Sequence, residues 1–217
     1  MKTIELFSGT GSFSKVAKEL NHSIFRIELN NKQEAELHKS ILDIDQIDTY
    51  DILWSSPPCT AFSVACIGRN WDKDKQPKSE NAFLGIALVE HTIKLIAENK
   101  PKYWFIENPR GMLRIVIDKL FIKYNITNYK RDTITYCQYG DTRMKPTDIW
   151  NNCYSWKPRP ACKNGDSCHI SAPRGSRTGT QGLSNAVDRG IIPPELFREI
   201  FKHIEINKTI ETQQRLR

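Results

Sequence analysis

The sequence lacks the features that would place a protein in a membrane or an export pathway. No run of about 18 apolar residues interrupts the 217 residues, which excludes a membrane-spanning helix. The first segment, MKTIELFSGTGSF, has neither a long apolar core nor a small-residue cleavage site, so we expect the first strand of a fold rather than a signal peptide. Internal repeats are also absent. We therefore expect a cytoplasmic protein.

Acidic residues and cysteines are both in short supply. There are 25 Asp and Glu residues against 32 Lys and Arg residues, which gives a net charge of +7. This excess suits a polyanionic partner, although basic solvated surfaces are common. The six cysteines include no Cys-x-x-Cys pair, and in a reducing compartment we expect them to be catalytic, metal-bound or buried rather than disulfide-linked.

Strand and helix patterns alternate along most of the chain. Strands are predicted at residues 2–7, 23–29, 51–55 and 103–106 with a closing pair at 133–137 and 147–151, and helices just after the first strand, at 82–98, at 111–123 and from Pro193 to about residue 206. This alternation predicts an α/β domain with a mostly parallel, doubly wound sheet and helices on both faces. The polar residues 68–80 are predicted to form a mobile loop.

Two short segments could hold a nucleotide-like ligand. The turn Gly9-Thr10-Gly11 follows the first predicted strand, where glycine lets the backbone approach a ligand or simply makes a tight turn. Glu28 ends the second predicted strand, and an acidic side chain there can accept hydrogen bonds from a ribose diol. Asp43 could serve an adenine amino group, unless these carboxylates are solvated surface charges.

A cysteine and a glutamate follow two strands of the predicted sheet. Cys59 lies in SPPCTAFS (residues 56–63), which leaves a strand at the edge where open α/β sheets bind ligands. Its setting of prolines and hydroxyls favours a nucleophile over a buried structural thiol. Glu107 ends the next buried strand and should lie on the same edge, where its carboxyl could protonate a ring nitrogen. Asn108 could instead, or in addition, cap a helix.

In this order, these segments resemble the motifs of the cytosine-5 DNA methyltransferases. LFSGTGSF is similar to the family's cofactor loop, and residues 58–63 are similar to its Pro-Cys-Gln-x-Phe-Ser motif. Residues 107–109 resemble its Glu-Asn-Val. Farther along, residues 138–145 resemble its Gln-x-Arg-x-Arg region, and residues 184–187 resemble its Gly-Asn-x-Val motif. The resemblance covers about residues 1–150 and 181–206. Thr60, Pro109, Lys145 and Ser184 depart from the family's usual residues, while Cys59 and Glu107 match.

The resemblance implies a Rossmann-like class I S-adenosylmethionine-dependent methyltransferase. Cys59 would add to C6 of a flipped cytosine, Glu107 would assist at N3, and Arg143 would steady the base or its backbone. The implied cofactor-binding residues are Phe7, Ser8, Gly9, Thr10, Gly11, Phe13, Glu28, Asp43, Ile44, Pro57, Asn185 and Ala186. Residues 1–150 would form the catalytic and cofactor-binding domain, which residues 181–217 complete.

Residues 151–180 form a short basic insertion where the family has a large target-recognition domain. Basic side chains that could contact phosphates are Lys157, Arg159, Lys163, Arg174 and Arg177. The stretch is too short to build its own core, so a structural zinc ion could stabilise it, bound by Cys153, Cys162, Cys168 and His169. Alternatively it is an ordered basic loop above buried cysteines. Cys66 and Cys137 are expected to be packing residues.

The expected activity is methyl transfer from S-adenosylmethionine to C5 of cytosine in double-stranded DNA by a monomer. Three alternatives remain open at this point. The chain could modify transfer RNA, as one branch of the family does. It could also be an exocyclic amino methyltransferase, whose active loop is typically Ser-Pro-Pro-aromatic; residues 56–58 fit this pattern, but Cys59 stands where the aromatic residue should be. It could also be a catalytically dead nucleic-acid-binding module.

Overall fold

A seven-stranded sheet forms the centre of the computed structural model, which describes residues 1–171, 183 and 185–215. The strands are β1 (Lys2–Leu6), β2 (Ser23–Glu28), β3 (Leu37–His38), β4 (Ile52–Ser55), β5 (Tyr103–Pro109), β6 (Lys130–Thr135) and β7 (Pro146–Asn151). The helices are α1 (Ser12–Glu19), α2 (Ile67–Asn70), α3 (Glu80–Asn99), α4 (Leu113–Lys123), α5 (Ala186–Gly190) and α6 (Pro194–Arg215). Short 3-10 turns lie at Ile41–Asp43, Val64–Cys66 and Tyr136–Tyr139.

The order of the strands is β3-β2-β1-β4-β5-β7-β6. β1 pairs in parallel with β2 and β4, β4 pairs in parallel with β5, and only β7 runs antiparallel to its neighbours. The predicted α/β architecture with a mostly parallel sheet is therefore confirmed. Because β1, β4 and β5 are parallel, their carboxyl ends and the loops that follow them meet at one edge.

Apolar side chains cover both faces of the sheet. Along β4, Leu53 points into one core while Ile52 and Trp54 point into the other, as the two-residue period of a strand requires. The first core packs against α3 and α4, with Ile93 and Phe121 fully buried. Burial on both faces explains why β4 and β5 are continuously apolar rather than alternating in polarity.

The carboxyl-terminal helix belongs to the second core. Phe197 and Phe201 of α6 pack on Phe13 of α1, with ring centroids 5.6 Å and 5.2 Å apart. The sequence predicted this helix only to about residue 206, whereas α6 extends to Arg215. The segment that follows the basic insertion therefore belongs to the same core as α1 and covers one face of the sheet.

Residues 68–80 contain more structure than the predicted mobile loop. They begin within α2, and both Asn70 and Trp71 are buried. The rest of the stretch folds back on itself, with an isolated bridge between Trp71 and Pro77. In the basic insertion, the described residues 152–171 form no helix or strand, although Cys153 and Trp156 are buried in the second core.

No helix within the described part of the chain combines the length and the apolar character that crossing a membrane requires.

Replacing Phe201 by alanine should lower the free energy of unfolding by about 3–5 kcal/mol, because a fully buried ring leaves a cavity between α6 and α1. Phe83→Ala is the matched control, since the ring of Phe83 is 57% exposed and its loss should cost no more than about 0.5 kcal/mol. Urea denaturation of both variants measures the difference. Equal losses would show that α6 does not contribute to the core.

Candidate active site

The loop that follows β4 presents Cys59 at the carboxyl edge of the sheet. The Cys59 carbonyl accepts hydrogen bonds from the amides of Phe62 (3.1 Å) and Ser63 (2.9 Å), which closes a tight turn around the cysteine. Phe62 is fully buried in the first core, whereas Cys59 is exposed. The loop is therefore held at one end by an apolar side chain and offers its thiol at the other.

Polar side chains from elsewhere in the chain fix this loop. Asn70 donates to the Thr60 carbonyl (2.8 Å), and the Trp71 indole donates to the Ala61 carbonyl (2.8 Å). On the other side, Asn108 donates to the Pro57 carbonyl (2.9 Å). Three buried side chains thus satisfy backbone carbonyls of the loop, which holds the nucleophile candidate in one position.

Glu107 lies in β5, beside the start of the Cys59 loop. Ser55 pairs with Ile106 across the two strands, so Glu107 and the loop occupy the same edge. The side chain is buried, and the Tyr136 hydroxyl donates to its Oε1 atom over 2.9 Å. Burial raises the pKa of Glu107, although Lys145 and the hydrogen bond from Tyr136 lower it. A raised pKa favours a carboxyl that can give a proton.

Lys145 is the cation of the site. It is buried, and its Nζ atom lies 3.4 Å from the Tyr136 hydroxyl and donates to the Arg189 carbonyl over 3.1 Å. Partial desolvation of the thiol raises the pKa of Cys59, the charge of Lys145 lowers it, and Glu107 raises it further. The structure therefore brings Cys59 and Glu107 into electrostatic reach of the same lysine.

Arg143 lies beside the site, with its guanidinium carbon 5.5 Å from the centre of the Tyr136 ring, and its contact with the base stays a prediction. Its guanidinium donates to both oxygens of Asp141 and to the carbonyls of Asp188, Arg189 and Ile191 at 3.0, 3.2 and 2.8 Å. A guanidinium has five N–H donors, and these contacts use all of them. Arg143 therefore fastens α5 and the residue that follows it to the β6–β7 connection, while the charge of Lys145 acts on the cysteine.

The turn between β1 and α1 adopts the backbone conformation of a ligand-binding loop. Gly9 and Gly11 have φ angles of 48° and 67°, and Phe7 also has a positive φ of 56°. Residues with a side chain are strained at positive φ, which favours glycine at positions 9 and 11. The buried Ser8 hydroxyl has no hydrogen-bond partner among the described residues. A turn with free space at Gly9 and an unused buried hydroxyl fits a bound polar ligand such as S-adenosylmethionine.

Two glutamates shape this turn. Glu28, at the end of β2, accepts hydrogen bonds from the amides of Gly9 (2.8 Å) and Asn30 (2.9 Å). Each carboxylate oxygen retains a second lone pair that could accept a ribose hydroxyl. Beneath the turn, the Glu5 carboxyl accepts from the amides of Phe13 and Ser14, which satisfies the first donors of α1. Burial raises the pKa of Glu5 to about 7.

The remaining predicted cofactor residues differ in their placement. Thr10 bonds the Ser12 hydroxyl over 3.0 Å, and Ser12 accepts from the Ile192 amide over 3.2 Å, which brings the carboxyl-terminal segment to the turn. Asp43 is exposed on the loop after β3. Phe13 and Ile44 are buried in the two cores, and a contact of either residue with the cofactor stays a prediction.

Asn185 and Ala186 begin helix α5. The Asn185 side chain accepts from the Val187 amide over 2.9 Å, which is the hydrogen bond of a helix cap. Asn185 is exposed, and Ser184 lies outside the described residues. A contact of this segment with the cofactor therefore stays a prediction.

Three cysteines and one histidine lie together beside the active-site segment, the β6–β7 connection of residues 136–145. The donor atoms of Cys137, Cys162, Cys168 and His169 all lie within 4.8 Å of one another. Cys153, predicted as a member of this group, is instead fully buried in the second core with its sulfur 3.5 Å from the Ser155 hydroxyl. The predicted set is corrected accordingly, because Cys137, which was expected to be a packing residue, takes the place of Cys153.

Several residues that shape the site were not predicted from the sequence. Asn70 and Trp71 fix the cysteine loop, Tyr136 contacts Glu107, and Glu5 supports the glycine turn. Only Trp71 gave a usable signal, since a lone tryptophan in a polar stretch suggests an anchored loop. The other contacts join residues that are distant in sequence and show no pattern there.

Comparison with known proteins identifies the family. Residues 1–121 match the family model of C-5 cytosine-specific DNA methylases, which is more than half of the 217 residues. A protein of Frog virus 3 (isolate Goorha) named "Probable DNA (cytosine-5)-methyltransferase" is 26% identical over 223 residues, which cover 92% of this chain and 98% of that protein.

Solved structures show the same fold. A chain named as a prophage-encoded DNA modification methyltransferase (E. coli) has a TM-score of 0.51 and 16% identity, covering 70% of this chain and 46% of that one. For a methyltransferase of Entamoeba histolytica the TM-score is 0.49, with 18% identity and coverage of 70% and 52%. The chain spans about half the length of these two structures. Because the family model matches more than half of its length, the chain belongs to the family of C-5 cytosine-specific DNA methylases, the methyltransferases that modify cytosine in DNA.

Proposed function

We propose that Cys59 and Glu107 carry out methyl transfer to C5 of a cytosine flipped out of double-stranded DNA. The observation that carries this proposal is the position of a fixed, exposed thiol and a buried carboxyl at the ends of adjacent parallel strands, both influenced by Lys145. The viral relative is named for this activity and is matched over 92% of this chain.

The chemistry follows from the protonation states of the two groups. The Cys59 thiolate adds to C6 of the cytosine ring, and a protonated Glu107 donates to N3, which prevents negative charge from building up on the ring. The addition makes C5 an enamine-like nucleophile, the atom that we expect to be methylated. Loss of the C5 proton, return of the N3 proton to Glu107 and cleavage of the bond to Cys59 then restore the aromatic ring. Tyr136 holds the Glu107 carboxyl in place for this step.

S-adenosylmethionine supplies an electrophilic methyl group in this family when bound. On this chain, Ser8, Gly9 and Glu28 would hold it. The Ser8 hydroxyl, which has no hydrogen-bond partner among the described residues, lies in the turn after β1, and the Gly9 amide positions the Glu28 carboxylate at the end of β2. Asp43 is exposed on the neighbouring loop and is the proposed contact to the adenine.

The basic insertion is the proposed contact with the DNA backbone. Lys157 and Lys163 are exposed in the described part of the insertion, while Arg159 is bound to Glu199 of α6 at 2.7 Å and helps to fix the insertion on the domain. Arg174 and Arg177 lie outside the described residues. We propose that the chain acts as a monomer, and that the insertion also carries a structural zinc ion.

Expression in a methylation-free host, followed by sequencing of the modified DNA, tests the proposed function. We expect 5-methylcytosine in one recurrent sequence context, and none from cells that express the Cys59→Ser variant. Purified enzyme should transfer methyl groups to duplex DNA in preference to transfer RNA. N4-methylcytosine, N6-methyladenine, or preferential modification of transfer RNA would contradict the proposal.

A duplex that contains 5-fluorocytosine should trap the enzyme as an adduct that survives denaturation, because fluorine at C5 cannot leave as a proton does. We expect this adduct from the unchanged protein with S-adenosylmethionine present, and a loss of at least about 100-fold in Cys59→Ser, which lacks the nucleophile. Cys66→Ser is the matched control and should retain the adduct. Trapping by Cys59→Ser, or none by the active protein, would refute the role of Cys59.

The charge of Lys145 should be visible in the pH dependence of Cys59 alkylation. The pKa of Cys59 is raised, so the thiol is neutral and unreactive below that pKa, and the alkylation rate rises as pH increases through it. Lys145→Met removes a charge that lowers this pKa, so the curve should move to higher pH, while Lys145→Arg should restore it in part. Iodoacetamide labelling of the free protein, read by mass spectrometry of the Cys59 peptide, gives the curve.

Lys119→Gln controls for the change in net charge, since Lys119 is exposed on α4. Its alkylation curve should coincide with that of the unchanged protein. If the alkylation curve of Lys145→Met also coincided with that of the unchanged protein, Lys145 would not act on the thiol.

A further inference from the structure

The four metal-binding side chains come from two separate parts of the chain. Cys137 is buried in the 3-10 turn Tyr136–Tyr139, where it directly follows Tyr136. Cys162, Cys168 and His169 lie in the basic insertion. The group therefore joins the insertion to the active-site segment, which no set made from the insertion alone could do.

The distances within the group approach those of a tetrahedral zinc site. A zinc ion with Zn–S bonds of about 2.3 Å and Zn–N bonds of about 2.0–2.1 Å places sulfur and nitrogen donors about 3.5 Å apart. The Nδ1 atom of His169 lies 3.7 Å from the Cys162 sulfur and 3.6 Å from the Cys168 sulfur. One imidazole nitrogen thus faces two thiols at the spacing that a shared ion requires.

The fourth donor completes the set. The sulfur atoms of Cys137 and Cys162 lie 2.9 Å apart, too far for a disulfide bond, whose length is about 2.05 Å, and closer than the roughly 3.8 Å between two thiolates on one zinc ion. A movement of less than about 1 Å would bring this pair to the zinc spacing. Three thiolates and one imidazole form a closed structural zinc set, with soft ligands that exclude magnesium and calcium.

The insertion has a physical need for such an ion. Its described residues 157–171 form no helix or strand, and Ile170 is 74% exposed. Only a few hydrogen bonds join it to the domain here, including the Cys162 amide to the Thr135 hydroxyl (3.0 Å) and the Ile170 amide to the Thr142 carbonyl (2.8 Å). Because so little apolar surface is buried, metal binding would supply the free energy that orders this segment.

We propose that Cys137, Cys162, Cys168 and His169 bind one structural zinc ion that fastens the DNA-facing insertion to the active-site segment. This inference gives the ligand set and the role of the zinc ion proposed above, and its connection with DNA rests on the proposed function. Binding requires loss of the three thiol protons to solvent. Since Cys137 adjoins Tyr136, which donates to Glu107, the ion would fix the insertion next to the residue that positions the acid.

Emission spectrometry of the full-length protein, purified under reducing conditions and then incubated with zinc and desalted, measures the bound metal. We expect about one zinc ion per chain, and a loss of most of it in Cys137→Ser and Cys168→Ser. Cys168 is exposed, so its variant should fold even if that of buried Cys137 does not. Cys153→Ser is the matched control and should retain the ion, because Cys153 lies outside the group.

Three outcomes that concern the cysteines would overturn the assignment. These are retention of zinc by Cys168→Ser, loss of zinc from a folded Cys153→Ser variant, and a metal-free protein in which Cys137 and Cys162 form a disulfide bond. Bound iron in place of zinc after aerobic purification without added metal would also contradict it.

Trypsin digestion tests the structural role without any measurement of activity. Lys163, which Asn164 follows, is an exposed cleavage site in the insertion, whereas Pro158 protects the bond after Lys157 from trypsin. The zinc-bound protein should be cut after Lys163 at least about tenfold more slowly than protein treated with a chelator. Equal rates would show that no ion orders the insertion. A protein that binds zinc but transfers no methyl group would refute the proposed function alone, and an active protein without zinc would refute only this inference.

Discussion

The hydrogen bond from the Tyr136 hydroxyl to the Glu107 carboxyl connects the two parts of the chain on which the site depends. Glu107 belongs to the parallel strand β5, and Tyr136 follows the edge strand β6. Between them, β7 runs antiparallel and brings Lys145, just before its first residue, to the same place. A buried carboxyl without such a donor and a nearby cation would be costly, so this contact allows an acid to exist inside the sheet.

The same arrangement places two cations against the Tyr136 ring, and they make different contacts. Arg143 is enclosed by one carboxylate and three carbonyls, which belong to its own connection, to α5 and to the residue that follows α5. Its planar group with five donors suits that structural role, while the single ammonium of Lys145 can influence the thiol and the carboxyl together. The departure from the family's usual arginine thus coincides with the residue that provides the charge.

The small size of the insertion places unusual demands on its contacts. Trp156 is buried at its start, where its indole donates to Glu199, and Arg159 contacts the same glutamate. Farther along, the described residues bury little apolar surface, and the thiols of Cys162 and Cys168 lie close to Cys137 of the domain. A short segment without its own core can be ordered in this way, because the domain supplies both a hydrophobic anchor and one of the ligands.

The sequence by itself determined the fold class, the glycine turn, and the positions of Cys59 and Glu107 at strand ends. These features are local, because strand periodicity, glycine and the residues after a strand are all read within a few positions, and parallel strands bring their carboxyl ends together. The tertiary structure was needed to show that the charge of Lys145 acts on the thiol while Arg143 is bonded to α5, and that Cys137 rather than Cys153 joins Cys162. Both choices depend on how loops distant in sequence pack against β7 and α5, and on which direction a single side chain takes from its backbone, neither of which leaves a periodic trace in the sequence.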